Sequence, residues 1–381
     1  MLQCFVGGCT LLLLAATPPL VQAQTGSRDA QLARGWSEIA AGRAAAAETV
    51  ADRLLKLSPT DHDAISLAVA AALRGPGSNR ALDSYERWLT ASKQEDPFLL
   101  DEIAVSVLRT LAASDNPRAR FTALGALARY GDAAARKEIG ALAGQTELSV
   151  EAEAALARAG DPSAIPRLRA RIAAGGPLDK SEAINALKET GQPGTVDAIA
   201  EALSDPAPPS RIAAANALAE LGAVEALPKL RAAAADPEPS VRTMVRVALG
   251  VLGDPEYRDD AAALATSPLG DFRLLHARAE ARRDPESPGW VSLAEALLAD
   301  EDAAVRLGAA DLLMSRGRFD RAEPVVLAAL NENAAPIRMM AARLLPNMTR
   351  SERGYPILRK ALRDALPEVR VEAARALLTR R

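Results

Sequence analysis

The side chains that most often carry out chemistry are scarce in this chain of 381 residues. Its two histidines, His62 and His276, lie far apart, and they cannot supply the several His-Glu pairs that a two-iron site needs. Asp61-His62-Asp63 follows Pro59 at a turn and indicates the solvated start of a helix rather than a metal site. No P-loop, GxGxxG, HExxH or GxSxG motif is present. We therefore expect no catalytic residue, metal or cofactor, although a carboxylate pair assembled by folding would leave no such pattern.

One position of a repeated pattern recurs along the chain at intervals of 29 to 33 residues, and arginine stands at seven of these nine anchor positions. Such a row could bind the phosphates of a nucleic acid, but four of these arginines have an aspartate six residues upstream, and Glu332 precedes Arg338 in the same way. We therefore expect a ladder of arginine–carboxylate pairs between stacked units, and the net charge of -3 also argues against nucleic acid. The anchors are Arg120, Ser149, Lys180, Arg211, Arg242, Arg273, Arg306, Arg338 and Arg370, and the acids of the ladder are Asp205, Asp236, Asp300 and Asp364.

Two further columns of polar side chains lie away from the face that the pattern predicts to be buried. They predict either a solvated face or a mixed-charge groove for an extended peptide or a partner helix, and both interpretations stay open. Five residues after the anchors stand Asn185, Asn216, Arg278, Asp311, Arg343 and Arg375, and nine residues after them stand Arg129, Arg158, Glu189, Glu220 and Arg282.

The elements that must position these side chains are helices, because the apolar columns follow the helical period. Leucine stands seven residues after eight of the nine anchors, and alanine stands three residues after seven of them. Glycine eleven residues after six anchors predicts the helix end, since it adopts the left-handed conformation without a Cβ clash. A proline recurs fourteen residues before four anchors, which indicates a second helix that begins or kinks there. Each unit is therefore predicted to be helix, short turn, helix.

The D-P-x-x-x-V-R turn, the AxxAL second helix and the proline of the first helix resemble HEAT repeats, in the short variety grouped with the phycobilisome-lyase type. The resemblance covers residues 96–381 and implies an all-α fold: a right-handed α-solenoid of about nine HEAT-like helix pairs, with the second helices lining a concave face. A composition of 49% hydrophobic but only 3% aromatic residues suits thin stacked layers of this kind.

Residues 29–92 follow a different period and resemble a tetratricopeptide unit with a partial second one. Ala81, Tyr85 and Leu89 fall 34 residues after the matching positions Ala47, Ala51 and Leu55. We expect these helices to cap the solenoid, with a boundary in the KQEDP stretch at residues 93–97.

Residues 1–23 lack charged side chains and contain a short apolar run, which predicts a signal peptide and hence a periplasmic or extracellular protein. No Lys or Arg stands at the start of this segment, so an uncleaved membrane anchor is the alternative. Cys4 and Cys9 both fall within it, and a cleaved chain would contain no cysteine.

The repeat pattern degenerates between Gly253 and Trp290. We expect a seam there, where regular packing is lost and curvature changes. The competing hypothesis gathers Tyr257, Phe272, His276 and Trp290 into an exposed patch that binds a partner.

Two functions follow from the sequence. The favoured one is an exported, non-catalytic scaffold or adaptor that binds a protein partner along the concave groove. The alternative, implied only by the resemblance, is an accessory enzyme or chaperone-like subunit of the bilin-lyase type.

Overall fold

A computed structural model describes residues 26–143, 149–190, 194–348 and 354–379. The chain divides into two compact units, unit 1 at residues 1–95 and unit 2 at residues 96–381. The division falls within the KQEDP stretch. The predicted signal peptide lies outside the described residues. In the described part of the chain, no helix combines the length and the apolar character needed to cross a membrane.

Unit 1 contains four helices among its described residues. Asp61 is the N-cap of the third, where its carboxylate accepts from the backbone N–H groups of Asp63 and Ala64 at 3.1 Å each. Tyr85 and Trp88 of the fourth helix are buried, and their ring centroids lie 5.8 Å apart. The segment is therefore helical as predicted, and its tetratricopeptide character stays a prediction. The helices are α1 (Arg28–Ala40), α2 (Ala44–Leu57), α3 (His62–Arg74) and α4 (Ser78–Ser92).

Unit 2 is built of nine successive helix pairs in its described residues, which confirms the predicted all-α solenoid and its number of repeats. Short 3-10 segments extend three of the first helices, and α21 follows α20 after a brief break. The helices are α5 (Pro97–Ala112), α6 (Pro117–Tyr130), α7 (Ala133–Ala143), α8 (Ser149–Arg158), α9 (Ala164–Ala174), α10 (Pro177–Thr190), α11 (Thr195–Glu201), α12 (Pro208–Leu221), α13 (Leu227–Ala233), α14 (Pro239–Val251), α15 (Arg258–Leu264), α16 (Gly270–Arg283), α17 (Pro288–Leu297), α18 (Ala303–Ser315), α19 (Ala322–Leu330), α20 (Ala335–Ala342), α21 (Leu345–Met348), α22 (Gly354–Ala361) and α23 (Pro367–Leu378).

The sequence columns account for the core of unit 2. All eight leucines of the leucine column are buried, and all seven alanines of the alanine column are fully buried, which lets successive second helices approach closely. Gly131 and Gly222 end α6 and α12 in the left-handed conformation, with φ of 107° and 70°, as predicted. Gly191, another member of this column, lies outside the described residues. The recurring prolines fall in the first turn of their helices, as Pro228 does in α13, where a missing N–H costs nothing.

The ends of unit 2 meet, which the sequence did not predict. The last helix, α23, packs against α5 and α6 of the first pair as extensively as neighbouring helices pack elsewhere in the unit. Val371 and Leu377 of α23 and Leu108 of α5 are fully buried. The Nδ2 of Asn116 donates to Oε1 of Glu368 at 3.2 Å across the junction. The concave groove expected from the sequence is therefore not open at its ends: unit 2 is a closed ring, and its second helices surround an interior.

Packing is irregular where the repeat pattern degenerates. Helix α16 contacts α12, two repeats back, in addition to its neighbours α14 and α18. The guanidinium of Arg282 donates to the carbonyls of Ala219 and Glu220 at the end of α12, at 2.9 and 2.8 Å. The helix that follows begins only at Pro288. These features agree with the predicted seam.

Candidate ligand-binding cavity

The second helices of five repeats enclose a cavity of about 1000 Å³ in the interior of unit 2. We call it the inner cavity. It is lined by α6, α8, α10, α20 and α23, so the first and last repeats of the ring both contribute. Most of its lining is polar, charged or small. Its lining residues are Asn116, Pro117, Arg118, Phe121, Thr122, Gly125, Ala126, Arg129, Val150, Ala154, Ala155, Arg158, Glu182, Asn185, Ala186, Lys188, Glu189, Met339, Arg343, Glu368, Glu372 and Arg375.

The structure brings together at this cavity some of the side chains that the sequence placed in the two polar columns. Among the column five residues after the anchors, Asn185, Arg343 and Arg375 line it. From the column nine residues after the anchors, Arg129 and Arg158 line it together with Glu189. The other members of the columns, Asn216, Arg278, Asp311, Glu220 and Arg282, are not among its lining residues.

Sequence reasoning missed Arg118, Thr122, Glu182, Glu368 and Glu372, which also line the cavity. They stand two residues before or two residues after an anchor. The offsets -2, +2, +5 and +9 are separated by four, three and four residues and therefore share one helix face. Extending the two polar columns by two turns toward the N-terminus would have found these residues.

Five of the ten charged side chains that line the inner cavity form ion pairs within the protein. The Nε of Arg158 donates to Glu189 at 2.8 Å, and Nη2 of Arg375 donates to Glu372 at 2.5 Å. Lys188 is bonded at 2.8 Å to a carboxylate outside the cavity, that of Glu220. These pairs hold neighbouring second helices together and leave little net charge of their own.

Three arginines of the lining have no carboxylate bonded to them. Arg118, Arg129 and Arg343 are exposed, and none of them forms an ion pair within the part of the chain that the structure describes. Burial acts to raise the pKa of the Glu189 carboxyl, but Arg158, Arg343 and Lys188 together lower it below its ordinary value, so Arg343 lies near this carboxylate. The inner cavity therefore offers guanidinium groups that are free to bind an anion.

A second charge network lies on the remaining part of the inner layer. Glu220 accepts from Lys188 and from Asn216, the latter at 2.7 Å, and lies 3.9 Å from Arg278. Asp311 accepts from Nδ2 of Asn347 at 3.0 Å. Burial raises the pKa of Asp311, although Arg278 and Asn347 act in the opposite direction. Here the charges satisfy one another, so this half of the inner layer contributes to packing.

The arginines of the predicted ladder have a geometry that differs in detail from the expectation. Arg211 binds the aspartate of the following unit, Asp236, with Nε and Nη2 at 2.7 and 2.8 Å. Asp205, six residues upstream, is contacted by this arginine only through its backbone: Nη1 of Arg211 donates to its carbonyl oxygen at 2.8 Å. The side chain of Asp205 instead accepts from Lys180 of the preceding unit at 2.5 Å and from the N–H of Ala207 at 2.8 Å. Each of these two aspartates thus joins two units, and each also holds the turn before the next helix by accepting from the N–H two residues on, that of Ala207 or Glu238.

Other rungs of the ladder are complete, partial or missing. Arg273 reaches Asp300 at 2.7 Å, and Arg338 lies 3.7 Å from Asp364. Arg242 and Arg306 make only the two upstream carbonyl bonds in the described part of the chain. Of the remaining two anchor arginines, Arg120 binds Glu138 at 2.7 Å, and the buried Nε of Arg370 lacks a hydrogen bond in the described part of the chain.

The exposed aromatic patch of the competing hypothesis does not form at the seam. Trp290 is fully buried, its Nε1 donates to the carbonyl of Pro285 at 3.1 Å, and Arg318 covers its ring. Tyr257 is half-buried beneath the guanidinium of Arg246, and Nδ1 of His276 is hydrogen-bonded to the carbonyl of Ala261 at 2.9 Å. These side chains pack the seam, and Trp290 is not accessible to a partner.

The second histidine is also engaged in packing. The His62 ring meets that of Trp88 edge to face, with centroids 5.9 Å apart, while the neighbouring Asp61 is bonded to Arg28. Throughout the described ranges, no group of three or more His, Cys, Asp or Glu side chains is arranged to hold a metal ion.

Nine stacked helix pairs with an inner row of second helices define an α-solenoid of helical repeats. The family model for HEAT repeats matches residues 173–250, 196–282 and 291–378, which together make up more than half of the chain. The chain therefore belongs to the HEAT-repeat family. This membership indicates a repeat scaffold for protein interaction, in a fold that is typically non-catalytic.

Comparison with solved structures adds no argument beyond this. The X-ray structure of YibA from Escherichia coli matches 64% of this chain and 92% of its own, at 18% identity and a TM-score of 0.28. No curated protein matches the sequence.

Proposed function

We propose that this protein is an exported, non-catalytic scaffold that binds a segment of a partner protein in the inner cavity of unit 2. The observation that carries the proposal is the convergence of the polar stripe of five second helices on one enclosed space. A stripe on an open solenoid would be expected to remain solvated. In a closed ring, the same stripe lines a cavity with walls on several sides.

The size of the inner cavity limits what it can hold. Its volume of about 1000 Å³ lies at the upper end of the range for small-ligand pockets and is far below that of a folded domain. A single extended stretch of polypeptide is the part of a protein that fits such a space. The charged and amide side chains of the lining suit hydrogen bonds to a peptide backbone and to polar side chains.

Site-specific cross-linking would test the proposal directly. A photoreactive amino acid at Thr122 or Asn185 places the cross-linker in the inner cavity, and the same group at the exposed Arg258 of α15 is the matched control. We expect both cavity positions, but not the control, to cross-link to the same short segment of one protein. Equal cross-linking from all three positions, or cross-linking only from the control, would refute binding in the cavity.

Export is a separate part of the proposal and rests on the composition of residues 1–23. Cell fractionation of the full chain and of a chain lacking these residues would test it. We expect the full chain outside the cytoplasm in a form shortened at its N-terminus, and the truncated chain inside. Recovery of both chains from the cytoplasm would show that the segment does not direct export.

A further inference from the structure

We infer that the segment bound in the inner cavity carries carboxylates, and that Arg129, at one mouth of the cavity, and Arg343, just inside that mouth, bind one of them. The inference rests on the proposed function, because it names the chemistry of the ligand at the same site. It starts from the charges of the lining, which comprises six basic and four acidic side chains.

The excess of positive charge is concentrated in groups that can be reached from outside. The acidic side chains Glu189 and Glu372 are bonded to arginines, and Glu368 accepts from Asn116. By contrast, Arg129 and Arg343 are exposed and, among the described residues, form no ion pair. A planar guanidinium binds a carboxylate through two parallel hydrogen bonds, so these two arginines favour that group over a neutral one.

The free arginines are not spread evenly over the cavity. Arg129 lies in the last turn of α6, and Arg343 lies at the break between α20 and α21 of the last-but-one second helix. The second helices run parallel, because each is preceded by an antiparallel first helix. Arg129 therefore lies at the mouth formed by the C-terminal ends, and Arg343, four residues earlier in the repeat, lies about one helical turn inside it. Arg158 and Glu189 lie at the same ends of α8 and α10, and Glu189 interacts electrostatically with Arg343. This mouth is where the first and last parts of the ring present positive charge together.

A third free arginine indicates how long the ligand is. Arg118 lies in the first turn of α6, at the opposite mouth, eleven residues before Arg129 on the same helix face. At 1.5 Å per residue, the two positions are about 16 Å apart along the helix axis. An extended peptide covers that distance in about five residues. The ligand is therefore an extended acidic segment with carboxylates about five residues apart, one for each mouth.

Binding of defined peptides to the full chain would test this. The probe is a fluorescein-labelled Gly-Ser peptide of roughly nine residues with two glutamates five positions apart, and its control carries glutamine at both positions. We expect the glutamate peptide to bind at least about tenfold more tightly, with an affinity that decreases as salt is added. R129Q and R343Q should each weaken its binding about three- to tenfold, while R258Q, which changes an exposed arginine on α15, should leave it unchanged. All three arginines are exposed, so their replacement should leave the helical circular dichroism spectrum intact.

The outcomes separate the inference from the proposed function. If the glutamate and glutamine peptides bind equally well, or if R258Q weakens binding as much as R129Q and R343Q, carboxylate recognition is refuted and peptide binding stands. Inorganic phosphate and unlabelled glutamate peptide can be compared as competitors of the labelled probe. If phosphate displaces the probe at the same concentration as the unlabelled peptide does, the site accepts any oxyanion and the assignment to a carboxylate is wrong. If cross-linking from the cavity positions also finds no protein segment, the proposed function fails as well.

Discussion

Replacing Ser267 by Asp is expected to stabilise the protein, because it would complete a missing rung of the arginine ladder. Arg242 donates from Nη1 to the carbonyls of Asp236 and Pro237 at 2.7 and 2.9 Å, as Arg211 does to the equivalent carbonyls one repeat earlier. Arg211 then uses Nε and Nη2 to bind Asp236 of the next unit. For Arg242 the corresponding position of the next unit is Ser267, which is too short to offer a second oxygen.

The serine already performs the other task of the aspartate, so the substitution should keep it. The Oγ of Ser267 accepts from the N–H of Leu269 at 3.1 Å, and Oδ1 of Asp236 accepts from the N–H of Glu238 at 2.9 Å. Aspartate and serine side chains both accept such a bond from the backbone two residues on and so hold the turn that precedes the helix. The gain is therefore that of one arginine–carboxylate pair, about 0.5–1 kcal/mol for a half-exposed site.

Urea denaturation of S267D and of the unsubstituted protein would measure the gain, and R242Q provides the control. In the R242Q background, S267D should give no gain, since the partner guanidinium is absent. Arg242 should lower the folded-state pKa of the introduced carboxyl, so the stabilisation should be present at neutral pH and be lost as pH falls below about 4. A gain that persists in R242Q, or one that persists at low pH, would refute the pairing argument.

Three further changes test other parts of the structure. Burial raises the pKa of Asp311, so its ionised form costs stability at neutral pH. In urea denaturation, D311N should be more stable than the unsubstituted protein at pH 7, and the difference should shrink toward pH 4. A D311N variant that is less stable than the unsubstituted protein at both pH values would contradict this. A Cβ at Gly250 would lie 2.4 Å from the carbonyl oxygen of Tyr257, so G250A should lower the free energy of unfolding by about 1–3 kcal/mol. Gly140 lies within α7 with open space around it, so G140A should raise the free energy of unfolding by about 0.5–1 kcal/mol. Thermal denaturation that shifts both variants in the same direction would refute this packing. Cysteines at Asn116 and Glu368, whose side chains meet at the ring junction, should be joined by a short bis-maleimide into a chain of altered gel mobility, and a mobility equal to that of the single variants would contradict closure.

The repeat and its core could be predicted from the sequence because they depend on residues that are close along the chain. The leucine and alanine columns identify the buried face of each second helix, and glycines such as Gly131 identify its end, where φ is 107°. The direction of the ladder was less accessible. Arg211 has an aspartate six residues upstream, Asp205, and another 25 residues downstream, Asp236, and both spacings recur in other repeats. Only the stacking of adjacent units decides that the side chain of Asp236 is the partner.

The aromatic patch shows a different limit of the same reasoning. Trp290 stands where the repeat pattern fails, and a large aromatic residue at an irregular position is compatible with either an exposed anchor or a filler of irregular space. The structure uses it as a filler, since its ring is fully buried and its Nε1 is bonded to Pro285. Burial at such a position depends on neighbours that no column describes, here including Arg318 above the ring.

Closure of the ring could not be predicted because it depends on a sum over all repeats. Each unit must turn, on average, by one ninth of a full turn relative to its predecessor for α23 to meet α5, and small errors in each step would accumulate into an open spiral. No column encodes that angle. Contacts between helices that lie far apart in the sequence make the closure: α23 packs against α5 and α6 of the first pair, and Val371 of α23 is fully buried. The inner cavity exists only because this contact forms within unit 2, since its lining combines α6, α8 and α10 with α20 and α23.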